Sequence, residues 1–493
     1  MTQPENELIR VRLEKLERLR EKGIQPYPNK YHRSHTSQQA KSLFEAAEAE
    51  NSENARTEEV TVGGRLVAFR GMGRASFGDL LDGEGRVQVL FSRNTLTDTY
   101  ELLQELDVGD WLGVRGPVFR TRTGEITVEA KEFTILCKAI RPLPEKWHGL
   151  TDVETRFRQR YLDLIANPEA RRAAVMRSNI VAGIRAFMTS RGFLEVETPI
   201  LVSVAAGGMA HPFVTHHNQL GRDLYLRIAT ELHLKRLIIG GMEKVYEIGK
   251  IFRNEGVDQT HNPEFTTMES YEAFADYNDV MCMVEDMAHT VARQVLGSSV
   301  SEFDGHRLDF TPPWPRLSLL DEIKKYSGID VPAHSDIESM KSAMADIGIE
   351  VSQQISWPGL MDKLISSKVE PNLIQPCFLV DYPVEMSPLA KTKSDNPRLV
   401  ERFEGFAAGM EICNAFTELN DPIDQRERFQ QQEELRSQFA GEETDRLDED
   451  FLVAIEHGMP PTGGLGIGID RLAMLFSGHK TIREVVLFPQ MRS

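Results

Sequence analysis

Between Tyr246 and Tyr271 the chain reads YEIGKIFRNEGVDQTHNPEFTTMESY, and this stretch limits the possible folds more than any other. Val245 to Phe252 has the apolar content of a buried strand, and Gly256 to Pro263 is rich in turn formers. Glu264 to Tyr271 then resumes with Phe265, Thr266, Thr267, Met268 and Tyr271. The pattern predicts strand, loop, strand. Arg253 and Glu255 fall at the end of the first strand, two residues apart and so on one face. An arginine there can grip a phosphate in a fork while a carboxylate accepts amine or hydroxyl protons. In isolation the same string also describes a surface hairpin carrying a solvated Arg/Glu pair.

At 493 residues the chain exceeds one ordinary core, and 41% hydrophobic with 27% charged residues is a normal globular balance, so two domains are expected. The first residues, MTQPENELIR, are polar, and no apolar run approaches the roughly 18 residues of a membrane span. This predicts a cytoplasmic protein without a membrane partner. Cys137, Cys282, Cys377 and Cys413 stand far apart with no CxxC pair, so reduced thiols and no zinc are expected. A formal charge of -18 argues against indiscriminate nucleic-acid binding, which rests on Lys and Arg neutralising phosphates. Val60 to Arg141, however, holds 11 Lys and Arg against 11 Asp and Glu, so the acidity lies elsewhere.

Leu8 to Lys22 reads as an amphipathic helix with Ile9, Leu13, Leu16 and either Leu19 or Arg20 on one side, ended by Gly23. It packs on the next domain or contacts RNA through Arg10, Arg12, Lys15 and Arg18. Ser34 to Thr57 is polar and suits a second helix. From Val60 to Cys137 short strands take over: VTVGGRLVAFR, GRASFGDLLD, GRVQVLFS, a helical DTYELLQEL, then DWLGVRGPVFRT and EITVEAKEFTILCK. Five strands with a helix between the third and fourth is the order of an OB barrel, whose sheet stacks single-stranded bases on aromatics. Phe77 and Gln88 lie on adjacent strands and are read either as packing and surface residues or as base readers. Ile140 to Arg160 is a Pro-containing connector, and Asp321 to Ser367 is an inserted helical unit without evident chemistry.

FRNEG followed by HNPEFTTMESYEAFADY closely resembles motif 2 of the class II aminoacyl-tRNA synthetases. LGIGIDRLAMLF from Leu465 resembles motif 3, and RAFMTSRGFLEVETP from Arg185 resembles motif 1. Within that family, LYLRIATELHLKRLIIGGMEKVYEIGKIFRNEG and EICNAFTELNDP are similar to the bacterial lysyl members of the aspartyl, asparaginyl and lysyl subgroup, over nearly the whole chain. The resemblance implies an α+β protein: an N-terminal helical extension over 1–58, an OB-fold anticodon-binding barrel over 59–139 and a connector over 140–160. A catalytic domain over 161–493 follows, with an antiparallel sheet flanked by helices and the insertion around 321–367. It also implies a homodimer through motif 1, and tRNA(Lys), ATP and L-lysine as partners.

The implied reaction joins an amino-acid carboxylate to the α-phosphate of ATP, which asks for positioned cations and a metal ion more than for acid or base groups. The resemblance assigns Arg253 to the carboxylate and α-phosphate and Arg471 to the γ-phosphate end. Phe265 is to stack the adenine, Glu255 to accept from its amine, and His261 to touch the pyrophosphate side, with Glu411 and Gly468 completing the ATP site. Glu404 and Glu411, on a hairpin in which Gly405 and the Ala-Ala-Gly run allow a turn, are expected to hold Mg2+. For lysine, Glu418 is expected at the ε-ammonium beside Tyr271, Glu231 and Glu269 at the α-ammonium side, and Phe416 against the butyl stem. Gly207, Asn414, Gly466 and Arg253 complete that set. In the barrel, the resemblance selects the second reading of Phe77 and Gln88, stacking and base-edge bonding, with Arg70 beside them; Phe69 stands where a second basic residue is expected. Two other readings keep the fold: a paralogue that modifies a protein lysine, and a noncatalytic RNA-binding module. The barrel segment counts against the first, and intact Arg253, Glu255, Glu404, Glu411 and Arg471 against the second.

Overall fold

The computed structural model describes residues 3–50, 55–143, 150–206, 210–351, 356–440 and 448–491. The chain forms two compact units, Met1–Gly149 and Leu150–Ser493.

In the first unit a helix over Gln3–Glu21 ends before Gly23, whose φ of +72° suits a residue without a Cβ. Its buried stripe is Arg12, Leu16 and Leu19, while Leu13 is 45% exposed, so the helix is rotated from the face expected of Leu13. Arg12 explains the rotation. Its guanidinium donates to the carbonyls of Ala139 (3.1 Å), Arg141 (3.0 Å) and Val108 (3.1 Å), while Lys15 pairs with Asp107 at 2.8 Å and Arg18 with Glu105 at 3.0 Å. The helix packs on the barrel, and these three cations are engaged there. The second expected helix spans Ser37–Glu50.

Six strands follow: β1 (Arg56–Met72), β2 (Ala75–Leu81), β3 (Arg86–Ser92), β4 (Trp111–Arg120), β5 (Ile126–Glu129) and β6 (Glu132–Cys137). They run in the order β1-β2-β3-β5-β4-β6, and β1 also pairs with β4, which closes the barrel. The expected fifth strand is therefore two. Its first part pairs in parallel with β3 and its second runs beside β4; the chain between them crosses Gly116, where an added Cβ would strike the Glu129 carbonyl. Helical turns over Arg93–Leu96 and Thr97–Glu105 join β3 to β4 as expected.

The second unit is built on an eight-stranded sheet in the order β15-β16-β17-β18-β19-β12-β11-β7. The strands are β7 (Leu194–Glu195), β11 (Lys244–Phe252), β12 (Glu264–Ala273), β15 (Arg316–Ser318), β16 (Cys377–Pro383), β17 (Leu399–Ala407), β18 (Met410–Thr417) and β19 (Thr462–Gly468). Small sheets hold β8 (Leu201–Val202), β9 (Val214–His217) and β10 (Arg222–Leu226), and β13 (Val300–Phe303) with β14 (His306–Asp309). The six central strands are antiparallel, and only the edge strands β7 and β15 pair in parallel. Helices over Pro168–Ser190, Tyr277–Leu296 and Ile469–Ser477 cover one face, burying Ile184, Met287 and Leu475 with Met268, Phe403 and Ile467 of the sheet. The insertion folds as helices over Leu319–Ser327, Ile337–Asp346 and Trp357–Leu364, with a core that takes in Leu379 and Phe406. Among the described residues, no helix is long and apolar enough to cross a membrane.

Candidate active site

Strand register assembles the site. Glu269 of β12 lies opposite Gly466 of β19, Gly466 opposite Asn414 of β18, and Asn414 opposite Glu404 of β17. Two residues along, Tyr271, Gly464, Phe416 and Arg402 form a second row. Side chains two apart on a strand share a face, so both rows point the same way. Between them β19 contributes only glycines, leaving a trough across the middle of the sheet. An added Cβ at Gly466 would meet no protein atom nearer than 3.8 Å and one at Gly468 none nearer than 3.9 Å, so crowding within the protein does not call for glycine there. Gly464 differs, since its Cβ would run into Glu418 Oε1 and the Tyr271 ring.

A carboxylate pocket lies where Glu418 meets Gly464. Glu418 and Lys235 both have fully buried side chains and form an ion pair through Glu418 Oε2, and Lys235 Nζ is also 2.6 Å from Glu231 Oε1. Neither fully buried oxygen of Glu418 makes a well-formed hydrogen bond among the described residues; Oε2 is held by the Lys235 ion pair and Oε1 by nothing. Burial drives the Glu418 carboxyl well above its ordinary range, Lys235 opposes this, and Glu231 adds to it. Burial likewise raises Glu269 to about 7, although Thr230 N–H donates to its Oε1 at 3.4 Å. Tyr271 is raised well above the usual phenol by burial and by the three carboxylates, so it keeps its proton at neutral pH.

At the other end of the trough, Arg471 Nη1 donates to the Glu411 carbonyl (2.7 Å) and carboxylate (3.2 Å), and its Nη2 lies 3.2 Å from His261 Nε2. Asp258 accepts from His261 Nδ1 at 2.8 Å, which leaves Nε2 as the acceptor toward Arg471. The Arg253 guanidinium stacks on the Phe265 ring, 5.3 Å from its centroid. Glu404 accepts from Tyr382 Oη (2.7 Å) and Arg402 Nη2 (2.5 Å). Glu404 and Glu411 line a cavity of about 510 Å³ with Asp362, Glu370 and Tyr382. Burial, followed by the charges of Glu404 and Glu411, lifts Glu370 to about 7. Lys363 also lines this cavity, Arg402 and Arg471 pair with Glu404 and Glu411, and no preformed metal-ligand cluster stands among the described residues. The two carboxylates are hard oxygen donors of the kind a divalent cation takes together with phosphate oxygens and water.

Comparison with known proteins places this arrangement. Residues 152–492 match the tRNA synthetases class II (D, K and N), and residues 60–136 match the OB-fold nucleic acid binding domain. A lysine–tRNA ligase of Dehalococcoides mccartyi (strain ATCC BAA-2266) is 53% identical over 99% of this chain and 98% of its own length. One from Moorella thermoacetica is 52% identical over the same shares, and one from Oceanobacillus iheyensis is 47% identical over 100% of both chains. The chain belongs to the class II tRNA synthetases, in the lysine–tRNA ligase family.

The synthetase sheet brings together Glu269, Tyr271, Asn414, Phe416, Glu418, Gly466 and Glu404 as two rows and their continuation, while Glu231 enters from a helix over Glu231–Ile239. Gly207 lies outside the described residues. Two expectations of local geometry change. The β11 ladder stops at Phe252, and Glu255 N–H donates to the Arg253 carbonyl at 2.8 Å, closing a tight turn at Asn254 that ends strand alternation between Arg253 and Glu255. Gly405 is not in the hairpin turn. The turn uses Ala408 (φ 52°) and Gly409 (φ 73°), and Gly405 sits within β17, where a Cβ would press on Cys413 Sγ.

Six residues at the site escaped the sequence reading: Lys235, Arg402, Asp258, Tyr382, Glu370 and Asp362, the last from the insertion read as without chemistry. Only Lys235 left a signal, the Glu231/Lys235 spacing of one helical turn. Phe416, expected against an aliphatic stem, has its ring 5.6 Å from the Lys235 ammonium.

In the barrel, Arg70 is directly opposite Phe77, and Gln88 is opposite Asp79, two residues along β2 from Phe77. All three predicted residues therefore share one face. Phe77 is half-buried and lies outside the barrel core. Phe69 packs against that core, edge-on to Phe91 at 6.2 Å, so its position has no place for a basic side chain. Thr127 Oγ1 donates to Gln88 Oε1 at 2.9 Å, which fixes the amide with its NH2 outward as a donor.

Proposed function

We propose that the chain activates L-lysine with ATP to lysyl-adenylate and pyrophosphate and transfers lysine to the 3′ end of tRNA(Lys). The observation that carries this reading is Glu418 Oε1, a buried acceptor without a partner at the end of a glycine-floored trough. A buried carboxylate oxygen left unbonded is costly, and an ammonium on a four-carbon stem would satisfy it. Glu269 and Glu231 would take the α-ammonium, and Asn414 and Phe416 would line the stem. Arg253 would bridge the lysine carboxylate and the α-phosphate, and Phe265 would stack the adenine. Glu255 would accept from the adenine amine. Arg471, with His261 beside it, would take the γ-phosphate end, exchanging its bonds to Glu411 for phosphate oxygens. Glu404 and Glu411 would hold Mg2+, which when bound neutralises developing charge on the phosphates.

On the barrel, Phe77 would stack an anticodon base, Gln88 would read a base edge and Arg70 would meet a phosphate. The enzyme would work in the cytoplasm as a homodimer. Leu194, in the segment read as motif 1, and Ile200 and Leu201, just after it, are 53%, 46% and 47% exposed, an apolar edge that a second copy would cover. Light scattering that gives the 55.8 kDa chain mass at working concentration with full activity would refute the dimer. Pyrophosphate exchange measured with each amino acid in turn tests the main reading: lysine alone should support exchange, and exchange with another amino acid but not with lysine would overturn it.

A further inference from the structure

The pocket assigned above to the substrate side chain already contains a cation. Lys235 lies one helical turn after Glu231, with its side chain fully buried and its ammonium shared between Glu231 and Glu418. The rings of Phe416 and Phe451 face it at 5.6 and 6.0 Å. Burial works against a charged lysine, yet Glu231 and Glu418 outweigh it and hold the ammonium above its ordinary range. Lys235 therefore remains an ammonium.

We infer, resting on the reading of this pocket as the lysine site, that Lys235 is a positioning residue for lysine recognition: it ties down one oxygen of Glu418, so that the other is presented to the substrate ε-ammonium.

Charge balance supports this. Glu231, Glu269 and Glu418 bring three negative charges close together and Lys235 brings one positive charge, leaving two negative charges for the two ammonium groups of lysine. The lysine carboxylate is the business of Arg253. The groups that act on Glu418 are Lys235, Glu231 of the same helix as Lys235, and Glu269 of β12, with the Tyr271 phenol alongside; of these only Lys235 favours the ionised form. Without Lys235, burial and both neighbouring carboxylates all push Glu418 to bind a proton, and a neutral acid has no charge to set against an ammonium. Geometry agrees. The ion pair occupies Oε2 and leaves Oε1, on the side of Gly464 and Tyr271, without a partner.

A merely structural ion pair, tying the Glu231–Ile239 helix to the segment after β18, would use the same contacts but predicts different kinetics. The test uses the full chain, pyrophosphate exchange with lysine, and norleucine as a competitor that shares the α-groups but lacks the ε-ammonium. Lys235→Met should raise the lysine KM about 10- to 100-fold near neutral pH and leave kcat and the ATP KM within about twofold, with the norleucine inhibition constant moving several-fold less than the lysine KM, because Glu231, which Lys235 also pairs, serves the α-ammonium of both ligands. The lysine penalty should shrink as the pH rises and Glu418 ionises. An unchanged lysine KM would overturn the inference, as would equal losses for lysine and norleucine.

If Lys235→Met does not fold, Lys235→Arg decides. A guanidinium keeps the charge but not the point contact on one oxygen, so the ratio of lysine KM to norleucine inhibition constant should rise about fivefold or more. An unchanged ratio overturns the inference. Wild-type exchange with another amino acid instead of lysine would bring down the reading of the site itself, and this inference with it.

Discussion

Arg402 holds Glu404 and Asn414 at once: its Nη2 is 2.5 Å from Glu404 Oε1 and its Nε is 3.2 Å from Asn414 Oδ1. One planar guanidinium thus joins a carboxylate of the proposed metal site to an amide of the proposed lysine site. Further bonds to the Met386 carbonyl and Ser387 Oγ, both at 2.8 Å, fix its plane. A lysine ammonium is a point donor and cannot span this fork.

Arg402→Lys should therefore raise the Mg2+ requirement and the lysine KM together, each by about 1.5 to 3 kcal/mol, the worth of a hydrogen bond to a charged group. The check is a Mg2+ titration of exchange at saturating lysine and a lysine titration at saturating Mg2+. A change in only one of the two would show that Arg402 does not couple the sites.

Gly464 and Gly466, two residues apart on β19, should respond oppositely to alanine. At Gly464 the new methyl runs into Glu418 and Tyr271, and overpacking of this kind costs about 1 to 3 kcal/mol of stability. At Gly466 it meets nothing within 3.8 Å, so stability should stay within about 0.5 kcal/mol while exchange falls, because the methyl enters the trough. Thermal unfolding beside exchange kinetics separates the two. A Gly466→Ala enzyme of normal activity would place the substrate elsewhere.

Arg253→Lys should lose about 2 to 4 kcal/mol in kcat of exchange, by comparison with other preorganised donors, and keep its melting temperature, since the side chain is exposed and stacks only on Phe265. Near-normal exchange would remove Arg253 from the reacting groups.

How far the site could be read from sequence depends on parity. Glu269 and Tyr271, Asn414 and Phe416, and Gly464, Gly466 and Gly468 are spaced by two, and strand alternation puts each set on one face without knowledge of the fold. Glu411 and Asn414 are three apart, and alternation would part them. The ladder slips between β17 and β18, where Gly405 pairs with Cys413 but Phe406 pairs with Glu411. Ile412 is the extra residue. It and Cys413 both bury in the core on the helix-covered face, which brings Glu411 back to the face of Asn414. No local signal marks that bulge, and only the family resemblance put Glu411 in the site. Lys235 and Arg402 were missed for a different reason: each pairs with a near neighbour, Glu231 and Glu404, at spacings that a solvated surface pair shows equally, and what marks them out is burial and a second partner distant in sequence or across the ladder, Glu418 and Asn414.

Phe77→Ala should weaken tRNA aminoacylation by about 1 to 3 kcal/mol, the value of one base stacked on an aromatic ring, and leave lysine-dependent exchange and the melting temperature unchanged. The half-buried ring lies outside the barrel core, so truncation opens no cavity there. Equal loss in both assays would mean that the ring supports the fold instead.

Glu269 should make lysine activation pH-dependent. Burial raises its carboxyl from 4.5 to about 7, with Glu231 adding to the shift and Thr230 opposing it. Below that value the group is neutral and cannot pair with the α-ammonium, so kcat/KM for lysine should climb as the pH rises through about 7. The stability effect has the opposite sign. Between about 4.5 and about 7 the folded chain binds this proton and the unfolded chain does not, so the unliganded enzyme loses stability as pH rises through that window. Saturating lysine should reduce the loss, because the α-ammonium favours the ionised carboxylate. Glu269→Gln should lower activity, abolish the activity trend and lessen the stability trend, to which Glu370 and Glu418, also raised by burial, still contribute, as read from a pH series of exchange rates and of melting temperatures with and without lysine. If the wild-type profile is flat across neutrality, or if the glutamine variant retains the same limb, the group that titrates is not Glu269 and the α-ammonium rests on Glu231 alone.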